Sequence, residues 1–265
     1  VKALSARREA QRAQLDVWYS TYHRTEWLGS DPVQFLHHYP DPLDQEIVGL
    51  IAASLAYGNV TSINRSIADV LGRLGPAPRR FLEEASEADL AAACHGFRHR
   101  WTSDVALTGL LTGVRRVVVA AGSLGVAFAE AADAAGESED YEAALARWAQ
   151  RIQGDRPRLA KELLAEPGKG SACKRLHLYV RWMVRSDVID PGCWRSVADP
   201  ARLLVPLDTH VYRFARAAGW TRRRAPDAGA VRDVTAILRR FCPTDPIRYD
   251  FSLTRPGIIE GWQPG

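Results

Sequence analysis

The sequence predicts an all-α protein. Three observations carry that expectation: apolar residues recur at helical spacing in almost every readable stretch, no run alternates apolar and polar residues as a half-buried strand would, and turn residues fall between the helical stretches. The chain has 265 residues, of which 46% are hydrophobic, enough to build the core of one large domain and too many for a disordered chain.

The first readable element, residues 44–57, is apolar nearly all round through Ile47, Val48, Leu50, Ile51 and Leu55, the pattern of a helix buried among other helices. Residues 103–121 read as another helix. The small, acidic stretch 132–140, with Gly136, Glu137, Ser138, Glu139 and Asp140, predicts a loop between helical blocks. Helical spacing resumes over 141–153 and again over 230–241, where Val231, Val234, Leu238 and Phe241 share one face until Pro243 stops the helix. No stretch approaches the roughly 20 uncharged apolar residues of a membrane helix, and the first 16 residues are charged and lack the apolar segment of a secretion signal. A soluble, intracellular protein is expected. Cys94, Cys173, Cys193 and Cys242 lie far apart, without the CxxC pairs of a zinc site or the density of a disulfide scaffold, so reduced thiols and no metal are expected.

Charge is unevenly spread. Residues 168–265 hold 17 Lys and Arg against 9 Asp and Glu, whereas the remainder holds 18 against 22. A basic C-terminal part favours a phosphate-facing surface, because Lys and Arg clusters gain affinity by displacing counterions from DNA; a solvated basic face is the alternative.

The most informative stretch begins at Pro167. Gly168, Lys169, Gly170, Ser171 and Ala172 form a turn whose two glycines permit backbone shapes closed to other residues, and a helix follows at once over 173–185. Glycine turns that open helices suit anions, since unpaired backbone N–H groups point outward there, although a plain connecting turn has the same composition. Projected at 100° per residue, Lys174, His177, Arg181 and Arg185 share one face, and Leu176, Tyr179, Val180, Met183 and Val184 the other. The cations have no acidic partner at helical spacing, which is costly unless something anionic balances them; a solvated surface is the other reading. Further on, an apolar run through Val205 and Leu207 ends in Asp208 and Thr209 just before a helix with Val211, Phe214, Ala215 and Ala218, which places the Asp208 carboxylate at the N-cap. As pure structure it is a capping residue. A carboxylate held rigidly at a helix start can also serve chemistry.

These residues resemble a known family. The run Val205, Pro206, Leu207, Asp208, Thr209, His210, Val211 is similar to the segment that carries the catalytic aspartate in helix-hairpin-helix DNA glycosylases. Residues 46–58 resemble the same family's early helix, whose end approaches the lesion, and residues 249–257 are more loosely similar to a late helix beside the base pocket. The interval from Lys174 to Asp208 is longer than in endonuclease III-like members. It resembles the archaeal 8-oxoguanine glycosylase branch, in which a lysine opens the helix after the hairpin and a second basic residue follows two turns later, as Arg181 does here. The whole chain also resembles an uncharacterised bacterial family of the DUF2400 kind. Many glycosylases of the superfamily carry an iron-sulfur cluster on four closely spaced C-terminal cysteines; only Cys242 lies past Cys193, so no cluster is expected.

The resemblance implies a single domain over 1–265 made of two helical subdomains, with a lesion-facing helix region at 44–61, a helix-hairpin-helix at 163–185, a catalytic aspartate segment at 203–218 and a DNA-binding cleft between the subdomains. It implies Lys174 as nucleophile on C1′ and Asp208 as its carboxylate partner. Gly168, Lys169, Gly170, Arg181, Arg185, Tyr57 and Asn59 are the expected DNA contacts, and Trp182, Asp250 and Phe251 the expected base pocket, with Trp194 and Tyr57 as further aromatic candidates. Lys174 would attack as a neutral amine, a state that desolvation and nearby cations such as Arg175 and Arg181 favour. The expected activity is excision of an oxidised purine such as 8-oxoguanine, followed by β-elimination, by a cofactor-free cytoplasmic monomer at the nucleoid acting on damaged double-stranded DNA. A monofunctional glycosylase for another lesion and a non-enzymatic helical DNA-binding protein are the competing readings.

Overall fold

The computed structural model describes residues 3–154 and 162–259, and its architecture is all-α. The described chain opens with α1 (Ala6–Tyr22), followed by two short 3-10 segments, Thr25–Ser30 and Pro32–His38, and α2 (Pro42–Ser54). Asp41 starts α2 by accepting the Leu43 amide at 2.9 Å, and Pro42 occupies the first turn, where its missing N–H costs nothing. Then come α3 (Val60–Leu74), α4 (Pro78–Glu84) and α5 (Glu87–Cys94). A hairpin of two-residue strands, β1 (Arg98–His99) and β2 (Thr102–Ser103), leads into α6 (Asp104–Ala121), α7 (Leu124–Ala135) and α8 (Glu142–Gln153). The later elements are α9 (Lys174–Val184), a 3-10 turn Pro200–Arg202, α10 (Thr209–Ala217), α11 (Ala228–Phe241) and α12 (Asp250–Ile259).

The helices gather into two groups. Helices α4 to α8 pack on one another around α2, while α1 packs on α12, which also meets α10. Arg7, Arg8 and Gln11 of α1 all reach the carbonyls of Ala218 and Gly219 that end α10. The two groups are joined where α2 crosses α9. That crossing is close because of Gly49: a β-carbon there would lie 2.8 Å from Met183 Cε and 3.3 Å from Tyr179 Cε2. Around it stack Tyr179, Trp148, Trp194 and Phe128, with ring centroids 5.1 to 5.5 Å apart along the Trp148–Tyr179–Trp194–Phe128 chain.

One polar group lies inside this aromatic core. Glu46 of α2 accepts the Leu124 amide at 2.8 Å, the Gly125 amide at 3.0 Å and Trp194 Nε1 at 2.6 Å, so it caps α7 and pins the Trp194 loop at once. Burial pushes its carboxyl above the ordinary range, against the pull of those three donors.

Several boundaries differ from the sequence-based expectation. The helix expected over 44–57 ends at Ser54, because Leu55, Ala56 and Tyr57 turn back on the last carbonyls. Residues 132–135 continue α7, as alanine-rich sequence favours, and the loop begins at Gly136, whose φ of 74° stops the helix. Of the helix-hairpin-helix expected over 163–185, the structure shows a glycine turn followed by the helix α9; residues 162–167 are not helical, and 155–161 lie outside the described residues. No single helix among the described residues is long and apolar enough to cross a membrane.

Truncating Glu46 strands two amides and an indole N–H in a dry interior. Glu46→Ala is therefore expected to lower the free energy of unfolding by about 3 kcal/mol or more in urea titrations. A loss below about 1 kcal/mol would show that Glu46 is not a structural tie.

Candidate active-site cavity

Helices α9, α10 and α12, together with the residues that follow α2, the start of α3 and the 3-10 segments, surround a cavity of about 450 Å³. Lys174 and Asp208 both line it, as do Asp250, Phe251, Arg181, Asp31 and Arg255. Lysine reaches this place because of the hairpin before it. Gly168 and Gly170 adopt φ of 86° and 84°, and Cys173, at φ 44°, bends the chain into α9 so that Lys174 is its first residue. The Lys174 amine donates to the Ala56 carbonyl at 3.3 Å, just past the end of α2.

Asp208 is the N-cap of α10, with Oδ1 accepting the Val211 amide at 2.8 Å. It is half-buried, and among the described residues no donor is bonded to Oδ2. Its backbone is fixed from behind by the buried Val205 amide, which donates to Thr235 Oγ1 of α11 at 3.1 Å.

The far wall is built from α12. Asp250 Oδ2 accepts from Arg181 at 2.7 Å, while Oδ1 is buried with no hydrogen-bond partner among the described residues. Burial raises the Asp250 carboxyl to about 6, against the pull of Arg181 and helped by the charge of Asp208. Phe251 lies under two guanidinium groups, Arg255 at 3.8 Å and Arg181 at 5.8 Å from its ring centroid. Arg255 is itself bonded to Asp31 at 2.7 Å. Burial acts to raise the Asp31 carboxyl, but Arg255 and Arg181 outweigh it and hold the group below the ordinary range.

The α9 face expected to be cationic is not a phosphate surface. Arg181 binds Asp190 through Nε at 3.1 Å and Nη2 at 2.9 Å in addition to Asp250, and only 1% of it is exposed. Arg185 is equally enclosed and pairs with Asp187, Asp190 and Asp245. Both guanidinium groups are therefore spoken for inside the fold, and neither supplies Lys174 with an unbalanced positive neighbour. His177 is also buried, and burial pushes its imidazole down to about 4, so it carries no charge near neutral pH. Trp182 and Trp194 lie in the core away from the cavity, which removes both from the base pocket.

Other expected residues divide. Gly168, Lys169 and Gly170 form an exposed turn, with Lys169 bonded to Glu166. Tyr57 is half-buried, its hydroxyl held by the His99 carbonyl at 2.9 Å and Thr102 Oγ1 at 2.6 Å, so it is fixed rather than free to enter DNA. Asn59 spends its side chain capping α3 through the Ser62 amide at 2.8 Å. Sequence reasoning did not find Asp31 or Arg255, which pair across 224 positions, and it did not single out the exposed Arg222 and Arg224. Those arginines precede Asp227, whose backbone pairs with Ser171, and the Ala228 amide donates to the Gly170 carbonyl at 3.0 Å. The basic turn thus stands beside the glycine hairpin. A run of three arginines, Arg222, Arg223 and Arg224, was the available signal.

The model of a family described as "Protein of unknown function (DUF2400)" matches residues 31–259. No curated protein and no solved structure matches the chain.

Asp250 should titrate near pH 6 in carbon-detected NMR of the carboxyl groups, and Asp208→Asn should lower that midpoint by removing a neighbouring negative charge. Because the folded value lies above the ordinary value of about 4, the Asp250 contribution to stability is fully present below about pH 4 and is lost as pH rises through about 6. Asp250→Asn should abolish that component of the pH dependence.

Proposed function

We propose that this chain, which belongs to the DUF2400 family of proteins of unknown function, is a DNA glycosylase of the helix-hairpin-helix kind with lyase activity. The observation that carries the reading is the meeting of Lys174 and Asp208, from the starts of two different helices, in one cavity large enough for an extruded nucleoside. A glycosylase draws its target nucleotide out of the duplex and reads the base in a pocket. Phe251 backs the cavity beneath the Arg255 and Arg181 guanidinium groups, and Asp250 Oδ1 is a buried acceptor without a partner among the described residues that a base N–H can meet. An oxidised purine such as 8-oxoguanine brings the N–H donors that such an oxygen accepts.

The chemistry follows from two groups. The Lys174 amine adds to C1′ through its nitrogen lone pair while the C1′–N bond breaks and its electron pair leaves with the base. Asp208, held by its cap, stabilises the positive charge that grows on the sugar before the new bond is complete. Loss of a proton from nitrogen and ring opening give an imine between Lys174 and C1′, and removal of a C2′ proton then expels the 3′ phosphate by β-elimination. Neither step needs a metal or an organic cofactor.

The exposed turn of Arg222 and Arg224 beside Gly168, Lys169 and Gly170 supports contact with the backbone of double-stranded DNA. It replaces Arg185 in that role. A cytoplasmic monomer at the nucleoid fits this activity. The same basic turn would also serve a non-enzymatic DNA-binding protein, and covalent trapping separates the two.

Incubated with duplexes that each carry one lesion and then reduced with borohydride, the wild-type chain should form a covalent adduct and Lys174→Gln should form none. Asp208→Asn should keep the fold and DNA affinity but slow base release by several orders of magnitude, because Asn caps helices about as well as Asp yet carries no charge. An Asn variant with full activity would leave Asp208 only a cap.

Arg222→Ala with Arg224→Ala should weaken binding to all duplexes and flatten the dependence of log affinity on log salt by about one unit for each lost phosphate contact. An unchanged slope would move the DNA surface elsewhere.

A further inference from the structure

The hairpin between α5 and α6 holds a large aromatic side chain out in solvent beside the cavity mouth. Its strands pair Arg98 with Ser103 and His99 with Thr102, which leaves Arg100 and Trp101 as a two-residue tip. Such tips need positive φ and usually place Gly or Asn there, yet Arg100 adopts φ 54°. The turn is locked from within. Buried His99 bonds Ser66 through Nδ1 at 2.9 Å and the Tyr57 carbonyl through Nε2 at 3.0 Å, and the Tyr57 hydroxyl returns to the His99 carbonyl and Thr102. Trp101 remains 61% exposed on this rigid base.

The tip continues into a stack that reaches the cavity. Trp101 lies on Tyr57 with centroids 4.6 Å apart and planes at 23°, and the Arg100 guanidinium sits 5.0 Å from the Trp101 centroid. On the other side, Arg175, the neighbour of Lys174, is 5.3 Å from the Tyr57 centroid. Arg100 also packs over Gly58, a cavity-lining residue where a β-carbon would come within 3.0 Å of Arg100 Cδ. An aromatic pair between two arginines matches the chemistry of nucleic acid, in which flat bases alternate with phosphate charge.

We propose that this hairpin is the element that fills the gap in duplex DNA when a nucleotide enters the cavity, with Trp101 stacking on the bases left behind and Arg100 facing the flanking phosphate. The proposal rests on the reading of the cavity as a site for an extruded nucleotide. It places Trp101 and Arg100 at the lesion instead of Tyr57 and Asn59, the DNA contacts expected from sequence, whose polar groups are already engaged. A missing nucleotide leaves two stacking faces without partners, and the indole, whose other face already lies on Tyr57, covers one of them as Arg100 turns from the ring to the phosphate.

The test uses the full chain and two labelled duplexes, one intact and one with a single tetrahydrofuran abasic site, which cannot form an imine. Wild type should prefer the abasic duplex. Trp101→Ala should lose about tenfold of that preference while binding the intact duplex within about twofold of wild type, and Trp101→Phe should keep most of it. A Trp101→Ala chain that keeps the full preference, even if it melts at a lower temperature, would overturn the proposal and leave the hairpin a structural brace. Adduct formation on lesion DNA without any abasic preference would sink the hairpin role alone. An abasic preference that depends on Trp101 without any adduct would sink the glycosylase reading alone, and absence of both would sink the two together.

Discussion

Arg181 and Arg185 are buried among four carboxylates, Asp187, Asp190, Asp245 and Asp250, and the geometry of the cavity depends on that cluster. Arg181 links α9 to the start of α12, and Arg185 links it to the loops on either side. His23, at the end of α1, joins through Asp187 at 3.0 Å. Buried ion pairs add little net stability compared with apolar packing, but removing one partner leaves a stranded charge and costs about 3–5 kcal/mol. Their effect is to permit one arrangement of helices and penalise neighbouring ones. The cluster holds more acid than base, so a fully ionised set would be unbalanced. Asp250, whose carboxyl is also pushed up by the charge of Asp208, is the one raised to about 6.

That cluster also explains why the α9 face was misread. Helical spacing shows which residues share a face and is blind to partners supplied by other elements. Asp245 and Asp250 lie 60 and 69 positions from the arginines they meet. Asp187 and Asp190 follow α9 directly and were visible, yet nothing local says that the loop folds back onto the helix. The buried α2, the bounds of α6 and α8, and the Asp208 cap were legible because each rests on local period or capping chemistry. The β1–β2 hairpin was not, since two-residue strands are too short to show alternation and the tip lacks the usual glycine. Trp182 shows the limit for aromatic residues: sequence marks it as buried somewhere, and only the packing of α9 decides that it faces the core.

The cavity is built from ends of elements. Lys174 begins α9, Asp208 precedes α10, Asp250 begins α12, and Ala56 and Gly58 follow α2. Helix starts present N–H groups and fixed caps, and the chain can change direction there without breaking interior hydrogen bonds. The adjoining aromatic packing of Tyr179, Trp148 and Trp194, tied by Glu46, keeps α2 and α9 in register behind these ends. A rigid core thus carries a wall whose polar groups are set by local turns.

The pairing of α1 with the last helices sets the order in which the protein can assemble during translation. Arg7 meets Ala218 across 211 positions, and Tyr249 meets Asp16 across 233. At about 5–20 residues per second, α1 leaves the ribosome on the order of ten seconds or more before its partners are made. The α2–α8 group, whose contacts are mostly local, can close in that interval. A half-exposed amphipathic helix waits beside it, so the nascent chain carries the dry face of Leu15, Trp18 and Tyr22 in search of a surface. That waiting time, rather than any weakness of the finished fold, is where this architecture is open to misassembly and to chaperones.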